Sequence, residues 1–127
     1  MQTLLIILIF EIMKISYEPS WRDKHIELSS LLRGIPEGQL FVLTDTHSAE
    51  HCLSHFAESI GDTPYHLLTL EAGEMSKTLV SVQRVWDFLL QHHATREALL
   101  INLGGGMITD LGGFAAATYM RGIRFVN

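Results

Sequence analysis

Residues 99–127 constrain the fold of this chain more than any other segment. An apolar run over 99–103 leads into three consecutive glycines at 104–106, and a stretch rich in small residues follows and ends near Arg121. A short apolar run that meets glycine is typical of a buried strand entering a tight turn, and the alanines beyond favour a helix. The segment therefore predicts a strand, a glycine turn and a helix in that order.

The glycine turn has the properties of a phosphate site. Backbone without side chains can approach charged oxygens, and the start of the following helix offers N–H groups and the positive end of its dipole. The motif is not the dinucleotide fingerprint G-x-G-x-x-G, because Thr109 takes the third glycine position. A plain tight turn is the alternative. Asp110 can equally be a helix-start carboxylate, and Arg121 can cap the helix before Gly122.

Strand-like and helix-like segments alternate upstream of this turn, which favours parallel βαβ units. The predicted strands cover residues 39–44, 65–70, 98–103 and 123–126. Four helices are predicted, the last of them after the glycines. The first is short and carries Ile26, Leu28, Leu31 and Leu32. The second is capped by Ser48 and has the apolar stripe Ala49, Cys52, Leu53, Phe56, Ala57 and Ile60; the third is capped by Ser76 and carries Leu79, Val82, Trp86, Leu89 and Leu90.

Composition limits the classes of function. With 127 residues, 47% of them hydrophobic and 18% charged, the chain fits one folded domain, residues 1–127. A formal net charge of −5 disfavours nucleic acid and anionic membrane surfaces as partners. The single cysteine, Cys52, excludes an internal disulfide and suits a reducing cytoplasm, so we expect a cytoplasmic protein.

The N-terminus carries an apolar run over residues 4–10, which Ile12 and Met13 extend. The run is too short to span a bilayer and lacks the basic region and cleavage site of a signal peptide. A buried strand or a non-native upstream extension is favoured over a targeting segment, and Met13 is an alternative start.

Two further patterns resemble ligand sites but are not predicted to be functional. Residues 73–78 resemble a P-loop superficially, but no glycine precedes Lys77 and the spacing is one residue short, so we exclude an ATP or GTP site. His51, His55 and Glu58 have metal-ligand spacing, yet they lie opposite the apolar stripe of their helix, on the solvated face. Cys52, on the stripe itself, is predicted to be a small core residue.

The glycine turn and two upstream elements together resemble the 3-dehydroquinate synthase family. Members carry three glycines, two apolar residues, a small residue and aspartate, then glycine-phenylalanine-alanine and arginine-glycine. This chain has Gly104-Gly105-Gly106-Met107-Ile108-Thr109-Asp110, Gly113-Phe114-Ala115 and Arg121-Gly122. The family turn acidic-x-Gly-Glu-x-x-Lys is present at residues 71–77, and a strand ending in Thr-Asp at 42–45. Residues 1–38 match poorly.

The resemblance implies a Rossmann-like parallel sheet with flanking helices, the N-terminal NAD-binding domain of that fold. By resemblance, Asp45, Glu74 and Lys77 would hold the adenosine half of NAD. The pyrophosphate and nicotinamide ribose would be lined by Gly105, Gly106, Met107 and Asp110. Arg121 would reach the substrate. Ala72, where an aspartate is common, and Thr109, where a glycine is common, depart from the family pattern.

The family reaction is a step of the shikimate pathway that converts 3-deoxy-D-arabino-heptulosonate 7-phosphate to 3-dehydroquinate and phosphate. It uses NAD and a divalent metal, zinc or cobalt, and family members form homodimers. The metal ligands, one glutamate and two histidines, belong to a helical C-terminal domain that we do not find in this chain. Because the last predicted strand, residues 123–126, lies at the very end of the sequence, we expect an incomplete domain that is inactive alone.

Two other classes of function stay open. The chain can be the NAD-binding part of a related sugar-phosphate cyclase or iron-type alcohol dehydrogenase, which share this fold. It can also be an NAD-binding or subunit-interaction module without catalysis. The missing substrate contacts would separate the enzymes, and NAD affinity without turnover would indicate the module.

Overall fold

A computed structural model describes residues 28–127 of the chain. The predictions for residues 4–13, the alternative start at Met13 and Ile26 lie outside the described residues. In chain order the elements are α1 (Leu28–Leu32), β1 (Leu40–Asp45), α2 (Thr46–His51), α3 (Leu53–Ile60), β2 (His66–Leu70), a short 3₁₀ turn (Glu74–Ser76), α4 (Leu79–Gln91), β3 (Leu99–Leu103), α5 (Gly106–Thr118), a second 3₁₀ turn (Tyr119–Arg121) and β4 (Arg124–Val126).

The four strands form one parallel sheet in the order β2-β1-β3-β4. In the register of the central pair, Leu40 lies beside Leu99 and Thr44 beside Leu103. Strands covered on both faces are continuously apolar, and all six residues of β1 are buried. The predicted Rossmann-like sheet with flanking helices is therefore confirmed.

Alternate residues of each strand face two different helical layers. Leu40, Val42, Leu99 and Ile101 pack with Phe56 and Ile60 of α3, beside the partly buried side chains of α1. On the other face, Phe41, Leu43 and Leu100 pack with α4 and α5 in the larger core cluster. The crossover through α2 and α3 thus lies on one face, and those through α4 and α5 lie on the other.

Both predicted N-caps are wrong by two or three residues. Helix α2 begins after Asp45, whose Oδ1 accepts a hydrogen bond from the Ser48 N–H at 2.8 Å. Helix α4 begins after Thr78, whose hydroxyl accepts from the Ser81 N–H at 3.1 Å. Asp and Thr are also favoured N-caps, so the sequence offered two acceptable starts in each place.

The structure also corrects three side chains on the predicted apolar stripes. The helix after β1 is broken at Cys52, which is exposed rather than part of the core. Leu79 and Leu90 of α4 are 46% and 61% exposed. The buried face of α4 instead consists of Val82, Val85, Phe88 and Leu89 together with Ser81. Among the described residues, no helix is long and apolar enough to cross a membrane.

Candidate functional site

The predicted ligand residues gather at the carboxyl edge of the sheet. In a parallel sheet all strands end at the same edge, and here Asp45 ends β1 beside Leu70 of β2, while Thr44 pairs with Leu103 of β3. The chain passes from β2 on one side of β1 to β3 on the other side. The gap between the ends of β1 and β3 is therefore the topological switch point, where open α/β sheets bind ligands.

The three glycines at this edge have different structural roles. A Cβ on Gly104 would lie 2.8 Å from the Cβ of Ile108, so packing against α5 requires glycine there. Gly105 and Gly106 are exposed, and a Cβ on either would meet nothing within 4 Å. The fold itself therefore leaves room at these two positions.

Helix α5 begins at this turn without a side-chain cap. Its N-cap is Gly105, which has no side chain to accept from the first turn. The first N–H groups of any helix lack partners within the helix, and the first hydrogen bond of α5 runs from the Thr109 N–H to the Gly105 carbonyl. By contrast, side chains cap α2 and α4. The exposed start of α5 can accept an anion.

Lys77 and Asp110 meet at the same edge. The Lys77 Nζ donates to Asp110 Oδ2 at 2.8 Å, and the two side chains are only 10% and 9% exposed. This ion pair joins the loop after β2 to the second turn of α5. The alternative of Asp110 as a helix-start carboxylate is wrong, because the first turn of α5 has no acidic residue.

Asp45 and Glu74 occupy different environments. Asp45 is buried, and its Oδ1 caps α2. A carboxylate has two acceptor oxygens, so Asp45 can accept a hydrogen bond from a ligand while its Oδ1 caps α2. Glu74 is exposed and opens the 3₁₀ turn after Gly73, whose φ of 110° favours glycine. The Thr46 hydroxyl accepts from the Ala72 N–H at 3.2 Å and ties this loop to the end of β1.

Met107 and Arg121 differ most from the other predicted site residues. The Met107 side chain lies in the core at 6% exposure, so only its backbone N–H is available to a ligand. Arg121 lies at the opposite end of α5, whose 13 residues span about 20 Å. It follows α5 in a separate turn, so it is not the C-cap, which is Tyr119. The structure does not bring Arg121 to the glycine turn.

No metal-binding group of three or more His, Cys, Asp or Glu side chains occurs within residues 28–127. His51, His55 and Glu58 are exposed, as predicted for a solvated face. The His92 ring stacks on His66 at a centroid distance of 4.4 Å, at the end of α4 far from the glycine turn.

Sequence reasoning missed Asn102, a polar residue in β3 that is 2% exposed. Its Nδ2 donates to Asn127 Oδ1 at 3.0 Å, and its Oδ1 is a buried acceptor with no hydrogen-bond partner among the described residues. The signal was present, because an amide within an otherwise apolar strand is unusual.

Comparison with known proteins places these features in a family. The family model described as 3-dehydroquinate synthase N-terminal matches residues 67–127. A 3-dehydroquinate synthase of Parabacteroides distasonis is 42% identical over 84% of this chain and 30% of its own length. The Francisella tularensis subsp. tularensis 3-dehydroquinate synthase is 36% identical over 88% of this chain and 33% of its own length.

A solved structure agrees with these matches. The crystal structure of 2-deoxy-scyllo-inosose synthase complexed with carbaglucose-6-phosphate, NAD+ and Co2+ superposes with a TM-score of 0.65 and 27% identity. The superposition covers 79% of this chain and 29% of that chain. The chain thus spans about a third or less of the proteins that it matches. It belongs to the 3-dehydroquinate synthase family, and the matching family model is that of the N-terminal part.

Proposed function

We propose that this chain binds NAD in the cleft between the ends of β1 and β3 and contributes that site to a 3-dehydroquinate synthase. One observation carries the proposal. The open glycine turn at residues 105–106 lies at the switch point of the sheet, on the same edge as the Lys77–Asp110 pair. The proposal also draws on the relatives named 3-dehydroquinate synthase and on the similar synthase solved with NAD+.

The residues at this edge suit a dinucleotide. A pyrophosphate needs close backbone approach and unpaired N–H groups, and the start of α5 offers both because glycines occupy positions 105 and 106. Ribose hydroxyls need carboxylate acceptors, which Asp45 and Asp110 provide at the ends of β1 and near the start of α5. The positive charge of Lys77 lies beside Asp110.

Each residue has a distinct task in this proposal. The backbone N–H groups of Gly106 and Met107 hold the pyrophosphate, and Gly105 keeps its approach open. Asp45 and Glu74 accept from hydroxyls of the adenosine half. Lys77 pairs with Asp110 and orients its carboxylate towards the nicotinamide ribose.

Bound NAD would supply the hydride chemistry of the family reaction, in which a ring hydroxyl of a sugar phosphate is transiently oxidised. The protein residues described above bind and orient; none is assigned a proton transfer. Residues 28–127 do not fit the divalent metal of the family, since they contain no suitable group of ligands. The role of Arg121 towards the substrate stays a prediction, and its distance from the glycine turn means that it would not act on a ligand bound beside Gly105 of the same chain.

Isothermal titration of the protein with NAD tests the cofactor site. We expect saturable binding that Lys77→Ala and Asp110→Ala both weaken, while His55→Ala, an exposed change on α3, leaves it unaltered. Absence of binding at millimolar NAD, or equal affinity in the parent and both site variants, would contradict the proposal.

Phosphate release from 3-deoxy-D-arabino-heptulosonate 7-phosphate tests the substrate. Binding of NAD without phosphate release fits a chain that supplies only the cofactor site. Turnover of a different sugar phosphate, such as glucose 6-phosphate, would assign the chain to another sugar-phosphate cyclase. That outcome matters because the similar solved synthase was complexed with carbaglucose-6-phosphate.

A further inference from the structure

Asn102 and Gly112 form a close contact behind the glycine turn. A Cβ placed on Gly112 would overlap Oδ1 and Cγ of Asn102 and would lie 2.8 Å from its Nδ2. The three atoms of this one amide group therefore occupy the space that the Cβ of any other residue at position 112 would fill. The side chain of Asn102 fits into the notch that glycine leaves in α5.

The same amide reaches a third element. Its Nδ2 donates to Asn127 Oδ1 at 3.0 Å, so one buried side chain of β3 contacts both α5 and the residue that follows β4. Burying an amide with an incompletely paired oxygen is unfavourable. An apolar side chain, like those of Leu99, Leu100 and Ile101 in the same strand, would avoid that cost.

The contact lies directly behind the proposed cofactor site. Asn102 precedes Gly104 by two residues along β3, and Gly112 follows Asp110 by two residues along α5. Any change in how α5 rests on β3 would therefore move the Gly105–Gly106 backbone and the Asp110 carboxylate relative to the ends of β1 and β3.

We infer that Asn102 is a positioning residue, whose amide in the Gly112 notch sets where the start of α5 stands at the edge of the sheet. The inference rests on the proposed function for its effect on NAD, but not for its effect on the backbone. Asn102 is buried beneath α5, so it acts through the position of that helix.

Two readouts test this role in Asn102→Ala, Gly112→Ala and the double variant. The first is the ¹H–¹⁵N chemical shifts of Gly105 and Gly106, and the second is NAD affinity by titration calorimetry. Asn102→Ala empties the notch, so we expect both glycine signals to move and the affinity to fall about tenfold. In Asn102→Ala/Gly112→Ala a methyl group refills the notch, so the signals should return towards those of the parent, with affinity within about threefold of it.

A matched control separates position from stability. Val85→Ala truncates a fully buried side chain of α4, and it should lower the urea midpoint without moving the two glycine signals. Gly112→Ala alone forces a methyl group onto the Asn102 amide, and the other variants decide the question without it. Unmoved glycine signals in Asn102→Ala, or a double variant no closer to the parent than Asn102→Ala, would overturn the inference. If the parent protein binds no NAD but the glycine signals still move in Asn102→Ala, the proposed function is refuted and the positioning role stands.

Discussion

The Nζ of Lys77 lies 2.8 Å from Oδ2 of Asp110, although 33 residues separate them in the chain. Both side chains are about nine-tenths buried, so this pair is shielded from solvent and differs from an exposed surface ion pair. The contact fixes the loop after β2 against α5. A ligand in the cleft would therefore contact an ion pair rather than two separate charges.

Breaking this pair should cost both stability and NAD affinity. Lys77→Met or Asp110→Asn removes one charge of this buried pair, and we expect the free energy of unfolding to fall by about 3 kcal/mol. The loss in Lys77→Met/Asp110→Asn should be smaller than the sum of the two single losses, because each single change already removes the interaction between the two side chains. Urea denaturation followed by circular dichroism measures this coupling, with Glu58→Gln on the exposed face of α3 as the control. Additive losses would show that the pair is not coupled.

Alanine at Gly105 should separate folding from binding. A Cβ there meets nothing within 4 Å and φ is −82°, so we expect the free energy of unfolding to change by less than about 0.5 kcal/mol. The new methyl group stands where the pyrophosphate would approach, so NAD affinity should fall. Gly34→Ala is the matched control, because it also meets open space and lies far from the cleft. Equal NAD affinity in Gly105→Ala and the parent would exclude close approach at this glycine.

Two substitutions of Asp45 should distinguish its cap from its charge. Asparagine is as good an N-cap as aspartate, so Asp45→Asn should keep the stability of α2 but bind NAD at least about tenfold more weakly, for want of a charged acceptor. Asp45→Ala should weaken NAD binding as well and lose about 1 kcal/mol of unfolding free energy. Thermal unfolding and calorimetric titration of both variants provide the comparison. If Asp45→Asn binds NAD like the parent, Asp45 serves as a helix cap alone.

Alkaline pH should destabilise the protein through Tyr119. Burial raises the pKa of its phenol above the ordinary value, and the hydroxyl donates to the Ala94 carbonyl at 2.9 Å. Above about pH 10 the unfolded chain releases this proton while the folded chain retains it. The contribution is thus complete below that pH and is lost as pH rises towards the folded pKa.

Tyr119→Phe is the variant that isolates this effect. It should lose about 1 kcal/mol at neutral pH with the hydrogen bond to Ala94, and its unfolding free energy should decline less steeply above about pH 10 than that of the parent. Urea unfolding from neutral to alkaline pH measures both curves. Parallel curves over that range would mean that Tyr119 does not cause the alkaline loss.

The strand pattern was predictable because apolar runs bounded by turn residues are a local signal. All four strands lie within a residue of their predicted ends, and β3 leads into the glycine turn as expected. Helix starts were less predictable. Asp45 and Ser48 compete for one cap, as do Ser76 and Thr78, and only the tertiary packing decides between them.

The parts of the site that escaped prediction depend on contacts between distant elements. The resemblance named Lys77 and Asp110 separately, but no local pattern indicates that they touch. The separation of Arg121 from the glycines follows from the length of α5, which returns the chain to the other edge of the sheet. The contact between Gly112 and Asn102 joins a helix to a strand, so no local pattern indicates it.

The register of β4 determines where position 127 lies. Val126 pairs with Ile101, and Asn127 contacts Asn102, two residues before the glycine turn. The strand thus returns the polypeptide to the edge of the sheet that carries the glycine turn. A label or tag attached through a substitution of Asn127 would therefore lie beside β3 and would remove the acceptor of the Asn102 amide, so it would disturb the contact behind α5.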